Sequence, residues 1–299
     1  MASPALEIVE VGPRDGLQNE ALALEPEVRA EFIRRLEACG ARRLEAVSFV
    51  HPRLVPQMAA AEEVLAALSP DPSRTRIGLV LNEKGLERAL AAGVDEVNIS
   101  VSATESFGVR NQGLGLAAQR QMLERFAARP DFRASQASVT VSCVFGCPFE
   151  GEVDEAGVLS LVADIAALGY GEVALADTIG AGDPWRVRRL CEQSLPRLSN
   201  ARLRLHFHDT RGTGLANAFA GYEAGARVLD ASCGGFGGCP FAPGASGNIA
   251  TEDLVFMFER AGIETGYDLG GLVETAAFIG AHLAKSPPSR LSRARPFPG

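Results

Sequence analysis

The stretch His206-Phe207-His208-Asp209 closes an alternating run, Leu203-Arg204-Leu205-His206-Phe207-His208. In a β-strand, residues two apart point to the same face. Both imidazoles therefore project together, with Phe207 turned away. Neutral imidazole nitrogens suit a divalent metal. The plainer alternative has one histidine bonded to a core hydroxyl and the other in water. Only four histidines occur in the chain, and two of them are here. A second stretch, Glu7-Ile8-Val9-Glu10-Val11-Gly12-Pro13-Arg14-Asp15-Gly16, reads as a strand entering a Gly/Pro turn with an adjacent arginine and aspartate. Asp15 there would complete a two-histidine, one-carboxylate site.

Such residues need strands to carry them. Four junctions resemble one another, at Gly40, Gly93, Gly169 and Gly225. Each ends a helix-like stretch with a glycine suited to the left-handed position after a helix, and each is followed by a short apolar strand. This rhythm marks consecutive parallel βα units. It predicts eight strands, near residues 7–11, 43–48, 76–81, 96–101, 138–144, 172–177, 202–208 and 228–232, the number a closed barrel requires. One helix runs from Pro26 with Val28, Phe32, Leu36 and Cys39 on one face. Another carries Val158, Leu161, Val162, Ile165 and Leu168 at helical spacing. The last barrel helix is expected near Thr251, one further helix over 267–284, and a poorly ordered tail after Lys285. The expected fold is α/β, a (β/α)8 TIM barrel over about residues 5–265 with a C-terminal helical extension over about 266–299, in one domain. An open doubly wound sheet comes second, because no strand leads into a dinucleotide glycine fingerprint.

The bulk numbers agree. A length of 299 residues, 46% hydrophobic with 32 glycines, suits a single α/β barrel of typically ~250 residues. The net charge of −8 argues against a general nucleic-acid or membrane-surface binder. Lysine occurs only as Lys84 and Lys285, which limits any Schiff-base mechanism to two candidates. The six cysteines form no Cys-x-x-Cys pair. Without a signal peptide or a membrane-length apolar run, the expectation is a reduced cytoplasmic enzyme with free thiols.

In a parallel barrel, chemistry sits at the C-terminal strand ends. Those ends bear Arg14 and Asp15, Glu45 and Ser48, Asn82 and Lys84, Ser100 and Ser102, Ser142 and Cys143, Asp177 and Thr178, then His206, His208 and Asp209, and last Ser232. Glu45 and Asp177 stand in apolar runs, where a carboxylate is costly unless paired. They either pair with a barrel arginine or hold Arg14 or a metal's water in place. After the eighth strand comes a glycine-dense loop containing Cys239, either a general acid or base on a lid or an inert small residue. Asn248 reads as the N-cap of the helix that carries Glu252. The pair Cys143 and Cys147 reads as a strand-end thiol and a turn thiol rather than as ligands. His51 and His282 read as surface residues.

Val9-Glu10-Val11-Gly12-Pro13-Arg14-Asp15-Gly16-Leu17-Gln18-Asn19-Glu20 resembles the opening motif of the 3-hydroxy-3-methylglutaryl-CoA lyase family. So do Glu45-Ala46-Val47-Ser48-Phe49-Val50, Val141-Ser142-Cys143, Asp177-Thr178-Ile179-Gly180, His206-Phe207-His208-Asp209-Thr210, Gly237-Gly238-Cys239-Pro240 and Gly244-Ala245-Ser246-Gly247-Asn248 through Thr251-Glu252-Asp253. The resemblance covers nearly the whole chain. It implies a divalent cation, Mg or Mn, on Asp15, His206, His208 and Asn248, and an acyl-CoA substrate cleaved to acetyl-CoA and acetoacetate. It gives Arg14 the thioester carbonyl and Cys239 a place on the lid. It gives Glu45 and Asp177 supporting roles, and Glu252 a role it leaves undefined. Gln18, Ser48 and Ser142 are carried over as substrate contacts. A homodimer and a place in leucine degradation and ketone-body metabolism are also implied. The chemistry fits: a cation lowers the cost of the C3 alkoxide, and a guanidinium stabilises the departing thioester enolate. Asp15 or a site histidine would be the base.

Two stretches depart from the family pattern. Arg211-Gly212-Thr213-Gly214 replaces an aromatic followed by Gly-Gln, and Arg110-Asn111-Gln112-Gly113 replaces a Lys-Asn-Ile-Asn type run. Both fall at the expected mouth and bear on the acyl group and the CoA contacts. Alternatives are the same chemistry on citramalyl-CoA or a longer-branched homologue, a Claisen-type synthase, a Schiff-base aldolase through Lys84, and a non-catalytic acyl-CoA-binding barrel.

Overall fold

The computed structural model describes residues 6–238 and 247–294. Eight strands close into one parallel barrel in chain order: β1 (Glu7–Glu10), β2 (Arg43–Ser48), β3 (Thr75–Val80), β4 (Glu96–Ser102), β5 (Ala137–Ser142), β6 (Glu172–Asp177), β7 (Arg202–Phe207) and β8 (Val228–Ala231). β8 pairs back onto β1, Glu7 with Val228 through Glu10 with Ala231. The helices are α1 (Pro26–Ala38), α2 (Ala61–Ala66), α3 (Glu83–Ala92), α4 (Glu105–Gln112), α5 (Leu116–Ala127), α6 (Glu155–Ala167), α7 (Pro184–Ser194), α8 (Gly214–Glu223), α9 (Thr251–Arg260) and α10 (Leu269–Leu283). The strands begin within a residue of their expected positions. Gly40, Gly93, Gly169 and Gly225 all take positive φ, between 70° and 106°, as their place after a helix requires.

The main apolar core lies between the strands and the helices, with Phe32, Leu36, Val162, Ile165 and Phe258 all buried in it. Inside the barrel the chemistry is different. Val9, Val11, Ile77 and Val228 form a small apolar cluster of their own, and much of the rest of the lumen is charged. At the N-terminal strand ends Arg43 reaches Glu7 at 3.1 Å, Glu96 at 2.6 Å and Glu172 at 2.8 Å. Those partners sit on β1, β4 and β6, so β2 contacts non-neighbouring strands through the lumen. One level up, the fully buried Arg204 lies 3.4 Å from Glu172, 3.5 Å from Asp230 and 3.9 Å from Glu45. Buried charges persist only when paired, and here each carboxylate is shared between levels.

The tail after Lys285 corrects an expectation. Up to residue 294 it is fixed against the start of α9. Ser289 N–H donates to Gly234 O at 3.0 Å, Ser292 Oγ donates to Glu252 at 3.1 Å, and the Arg290 and Leu291 amides donate to Asp253 at 2.9 and 2.8 Å. Its composition suggested disorder, but at a helix start Asp253 supplies acceptors for two of its amides and Glu252 one for its Ser292 hydroxyl. Cutting the chain after Lys285 removes these four hydrogen bonds. The truncated protein is expected to lose about 2–4 kcal/mol in urea unfolding, with amide-exchange protection falling first at residues 251–254. An unchanged urea midpoint would mean that the tail contributes nothing.

Candidate active site

The site begins where β1 ends. The Val11 carbonyl accepts from the amides of Arg14, Asp15 and Gly16 at 3.2, 2.7 and 3.2 Å, making one wide turn of Gly12–Gly16. Wide turns of this kind recur at functional sites. Gly12 is required, because a Cβ there would sit 2.6 Å from Glu10 Oε1. Glu10 is fully buried, accepting from the amides of Gly12 at 2.7 Å and Cys233 at 2.9 Å and from Thr251 Oγ1 at 2.6 Å. One carboxyl thus joins the β1 turn, the end of β8 and the start of α9. Burial pushes its pKa up to about 7 despite these donors. The sequence reading passed over Glu10; a glutamate between two valines was the available signal.

The turn aims Asp15 across the mouth at β7. Asp15 Oδ2 lies 3.9 Å from His206 Nε2 and 3.7 Å from His208 Nε2, and the two rings are 5.1 Å apart. Asn248 arrives by backbone pairing: it bridges to His208, with Ile249 N–H on Phe207 O at 3.1 Å and Asp209 N–H on Gly247 O at 3.0 Å. It is therefore not the N-cap of α9, which starts after Ala250. Its Nδ2 lies 2.9 Å from Asp15 Oδ2, while its buried Oδ1 has no hydrogen-bond partner among the described residues. A Cβ at Gly237 would sit 2.5 Å from that amide. Among the described residues, Asp15, His206 and His208 are the one group of such side chains able to share a metal ion. One carboxylate, two imidazoles and an unpartnered amide oxygen fit a divalent cation.

Behind these residues stands a second layer of charge. Arg14 Nε donates to Glu45 at 2.6 Å, and Arg14 Nη1 pairs with Asp15 Oδ1. Burial would raise the Asp15 carboxyl, but Arg14, the His208 hydrogen bond and both imidazoles hold it well below its ordinary value. Burial likewise opposes ionisation of Glu45, yet Arg14, Arg204 and Asn98 hold it low. Glu45 therefore satisfies both readings at once, pairing with a barrel arginine and orienting Arg14. His206 Nδ1 lies 3.1 Å from Asp230 Oδ2. Burial lowers the His206 pKa, and the Asp230 hydrogen bond with the Asp15 charge more than reverses this, leaving it raised. Asp230, an acid inside Val-Leu-Asp-Ala, was also missed.

A cavity of about 560 Å³ opens over these groups, lined by Gln18, Ser100, Ser142, Arg110 and Gly238 as well as Arg14, Asp15 and the two histidines. Gln18 and Ser142 stand where expected. Ser48 does not: it is fully buried in the wall beyond a register irregularity between Glu45 and Val47. Asp177 also departs from expectation. Among the described residues it pairs with no arginine, but accepts from the amides of Ala181 and Gly182 at 2.8 and 2.9 Å and so shapes the loop after β6. Burial raises its pKa. Glu252 accepts from Gly234 N–H at 3.0 Å and from Ser292, fixing the loop after β8 from below. Arg110 does line the mouth, its guanidinium 4.2 Å over the Phe149 ring. Arg211 instead donates to the carbonyls of Ile179 and Gly180 at 2.7 and 3.0 Å, closing a loop away from the cavity. Lys84 and His282 are exposed, while the exposed His51 lines the cavity mouth. The five described cysteines are buried, and no disulfide joins any two of them. Cys239 lies outside the described residues.

Against known proteins, the HMGL-like family model matches residues 5–279. The chain belongs to the HMGL-like family. Among its relatives, the (R)-citramalyl-CoA lyase of Chloroflexus aurantiacus is 40% identical, over 98% of this chain and 95% of its own. The 3-hydroxy-3-isohexenylglutaryl-CoA/hydroxy-methylglutaryl-CoA lyase of Pseudomonas aeruginosa is 41% identical over 96% of both chains. An HMG-CoA lyase from Acinetobacter baumannii, solved with coenzyme A and 3-methylmalate, superposes with a TM-score of 0.91 at 39% identity and covers all of both chains. As an HMGL-like protein the chain is a lyase, and the closed barrel and the family resemblance of its motifs are both borne out.

The Glu45 carboxylate gives a direct test of the charge network. Replacing it by glutamine strands Arg14 and Arg204 against a neutral group, and Glu45→Gln is expected to cost about 3–5 kcal/mol of stability. Because the folded pKa of Glu45 is lowered, its stabilisation is full above the unfolded carboxylate value of about 4.3 and is lost as pH falls through the folded value. Urea titrations from pH 6 to 3 should show a shallower acid slope in the variant than in the wild type.

Proposed function

We propose that the protein is a divalent-metal-dependent carbon–carbon lyase that cleaves 3-hydroxy-3-methylglutaryl-CoA to acetyl-CoA and acetoacetate. The observation that carries this reading is the placement of Asp15, His206 and His208 around one point with Arg14 beside them in one cavity. Asp15, His206, His208 and Asn248 would hold the cation, Mg or Mn, since either accepts carboxylate and amide oxygens with an imidazole pair. When bound, it supplies Lewis acidity at the substrate's C3 oxygen.

The chain's own groups do the rest. The C3 hydroxyl proton leaves toward Asp15 or a site histidine, the basic groups facing the cavity there. As the C2–C3 bond breaks, its electrons pass onto the thioester carbonyl to give an enolate, and C3 becomes the acetoacetate ketone. Arg14 is positioned for the enolate oxygen, because Glu45 and Asp15 fix its guanidinium in place before substrate arrives. The enolate then takes one proton at C2, with Cys239, adjacent to the cavity-lining Gly238, as the proposed donor. Asp177 and Glu252 support the loops after β6 and β8 rather than touching substrate.

A second reading keeps the mechanism and changes the acyl group to citramalyl-CoA or a longer-branched homologue. It is favoured by Arg110 at the mouth, where the family pattern has lysine. Metal-stripped protein is expected to release acetyl-CoA from 3-hydroxy-3-methylglutaryl-CoA only after Mg or Mn is restored. His206→Ala should abolish this, and Arg14→Ala should lower kcat roughly 10²–10³-fold, as loss of a donor to developing charge does. Metal-dependent turnover of citramalyl-CoA alone would replace the first reading by the second.

A further inference from the structure

We propose that Asp230 is the positioning residue for His206, holding the proton on its Nδ1 so that Nε2 faces the cation site as a lone pair; this rests on the metal-dependent reading above. Asp230 sits on β8, nearly fully buried. Its Oδ2 is 3.1 Å from His206 Nδ1, while Nε2 of the same ring is turned toward Asp15 Oδ2 at 3.9 Å. A neutral imidazole has one proton for two nitrogens, so a carboxylate that accepts from one leaves the other as the ligand.

The carboxylate is itself held. Arg204 Nε lies 3.5 Å from Asp230 Oδ1, and Arg204 is completely buried between Glu172 and Glu45. The contact is therefore backed by a guanidinium with no access to water, and cannot swing away without leaving a buried charge unpaired. His208 offers the contrast. Its Nδ1 is buried without a hydrogen-bond partner among the described residues. The two histidines share one strand face, yet only His206 has a carboxylate against its Nδ1 among the described residues. Of the two imidazoles Asp230 therefore orients His206, and its loss should be felt through that ring.

The test uses the full chain stripped of metal, with Mn(II) as the probe and free ion read by electron paramagnetic resonance. Asp230→Asn keeps the shape of the side chain and removes its charge. Mn(II) affinity is expected to fall about 10–100-fold in Asp230→Asn, the usual size of such a loss, with turnover recovering as Mn(II) is raised to saturation. In parallel, nitrogen-15 NMR of neutral histidines in the metal-free wild type should find His206 with its proton on Nδ1. In Asp230→Asn that preference should weaken while the His208 signals stay unchanged. A folded Asp230→Asn protein that binds Mn(II) like the wild type and has lost only turnover would overturn the proposal, placing Asp230 on the substrate instead. A His206 proton on Nε2 in the wild type would overturn it without any variant, which covers the case in which the variant fails to fold. His206→Ala serves as the control on the underlying reading. Unchanged Mn(II) affinity there would remove the metal site, while the NMR result would still decide the Asp230 contact.

Discussion

A buried guanidinium, Arg204, stands between three of the carboxylates inside the barrel. It touches Glu172 below, Asp230 to one side and Glu45 to the other. Glu45 leads to Arg14, and Asp230 leads to His206. Both arms of the site, the proposed cation ligands and the guanidinium proposed for the enolate, thus rest on one fixed positive charge. Taking ions out of water is expensive, and each of these is acceptable only while its partners remain. The lumen therefore exchanges some of the stability an apolar filling would give for a rigid, pre-set electrostatic field at its upper end.

A second constraint acts on the rim. Glu10 ties the β1 turn to Cys233 and Thr251, and Glu252 ties Gly234 to the tail through Ser292. These two buried carboxyls brace from beneath the backbone that leads to Gly238 and returns at Asn248. Their pKa values are raised by burial, so their hold comes from several donated amides and hydroxyls rather than from ion pairs. Rim and lumen are built on different principles: amide and hydroxyl hydrogen bonds at the helix start, and alternating charge within the barrel.

How much of this was legible depended on the range of the physics involved. A glycine with positive φ is a local requirement, and Gly40, Gly93, Gly169 and Gly225 announced the βα repeat. The histidine pair was legible because a period of two fixes a shared face. Asp177 misled for the same reason: it is one residue out of step with the inward-facing Ala176, and a single step turns a side chain to the opposite face. Arg204 and Asp230 escaped because their partners lie on other strands, and Glu10 because Cys233 and Thr251 lie far along the chain; a lone charge in a short apolar strand looks like a defect until the barrel closes around it. The tail escaped because its order is imposed by acceptors on α9, not by its own composition.

The ligands come from the two ends of the chain. Asn248 meets Asp15 across 233 residues of sequence, and Asn248 reaches its place only by pairing against the finished end of β7. Such long-range closure is slow to form during folding. A polypeptide still being synthesised, with β8 not yet docked on β1, holds the histidine pair but lacks the complete donor set. The donor set proposed for a cation is therefore complete only in the closed barrel. Because an ion that binds only the closed form stabilises it by mass action, cellular metal supply would govern how long newly made chains stay folded as well as how fast they turn over.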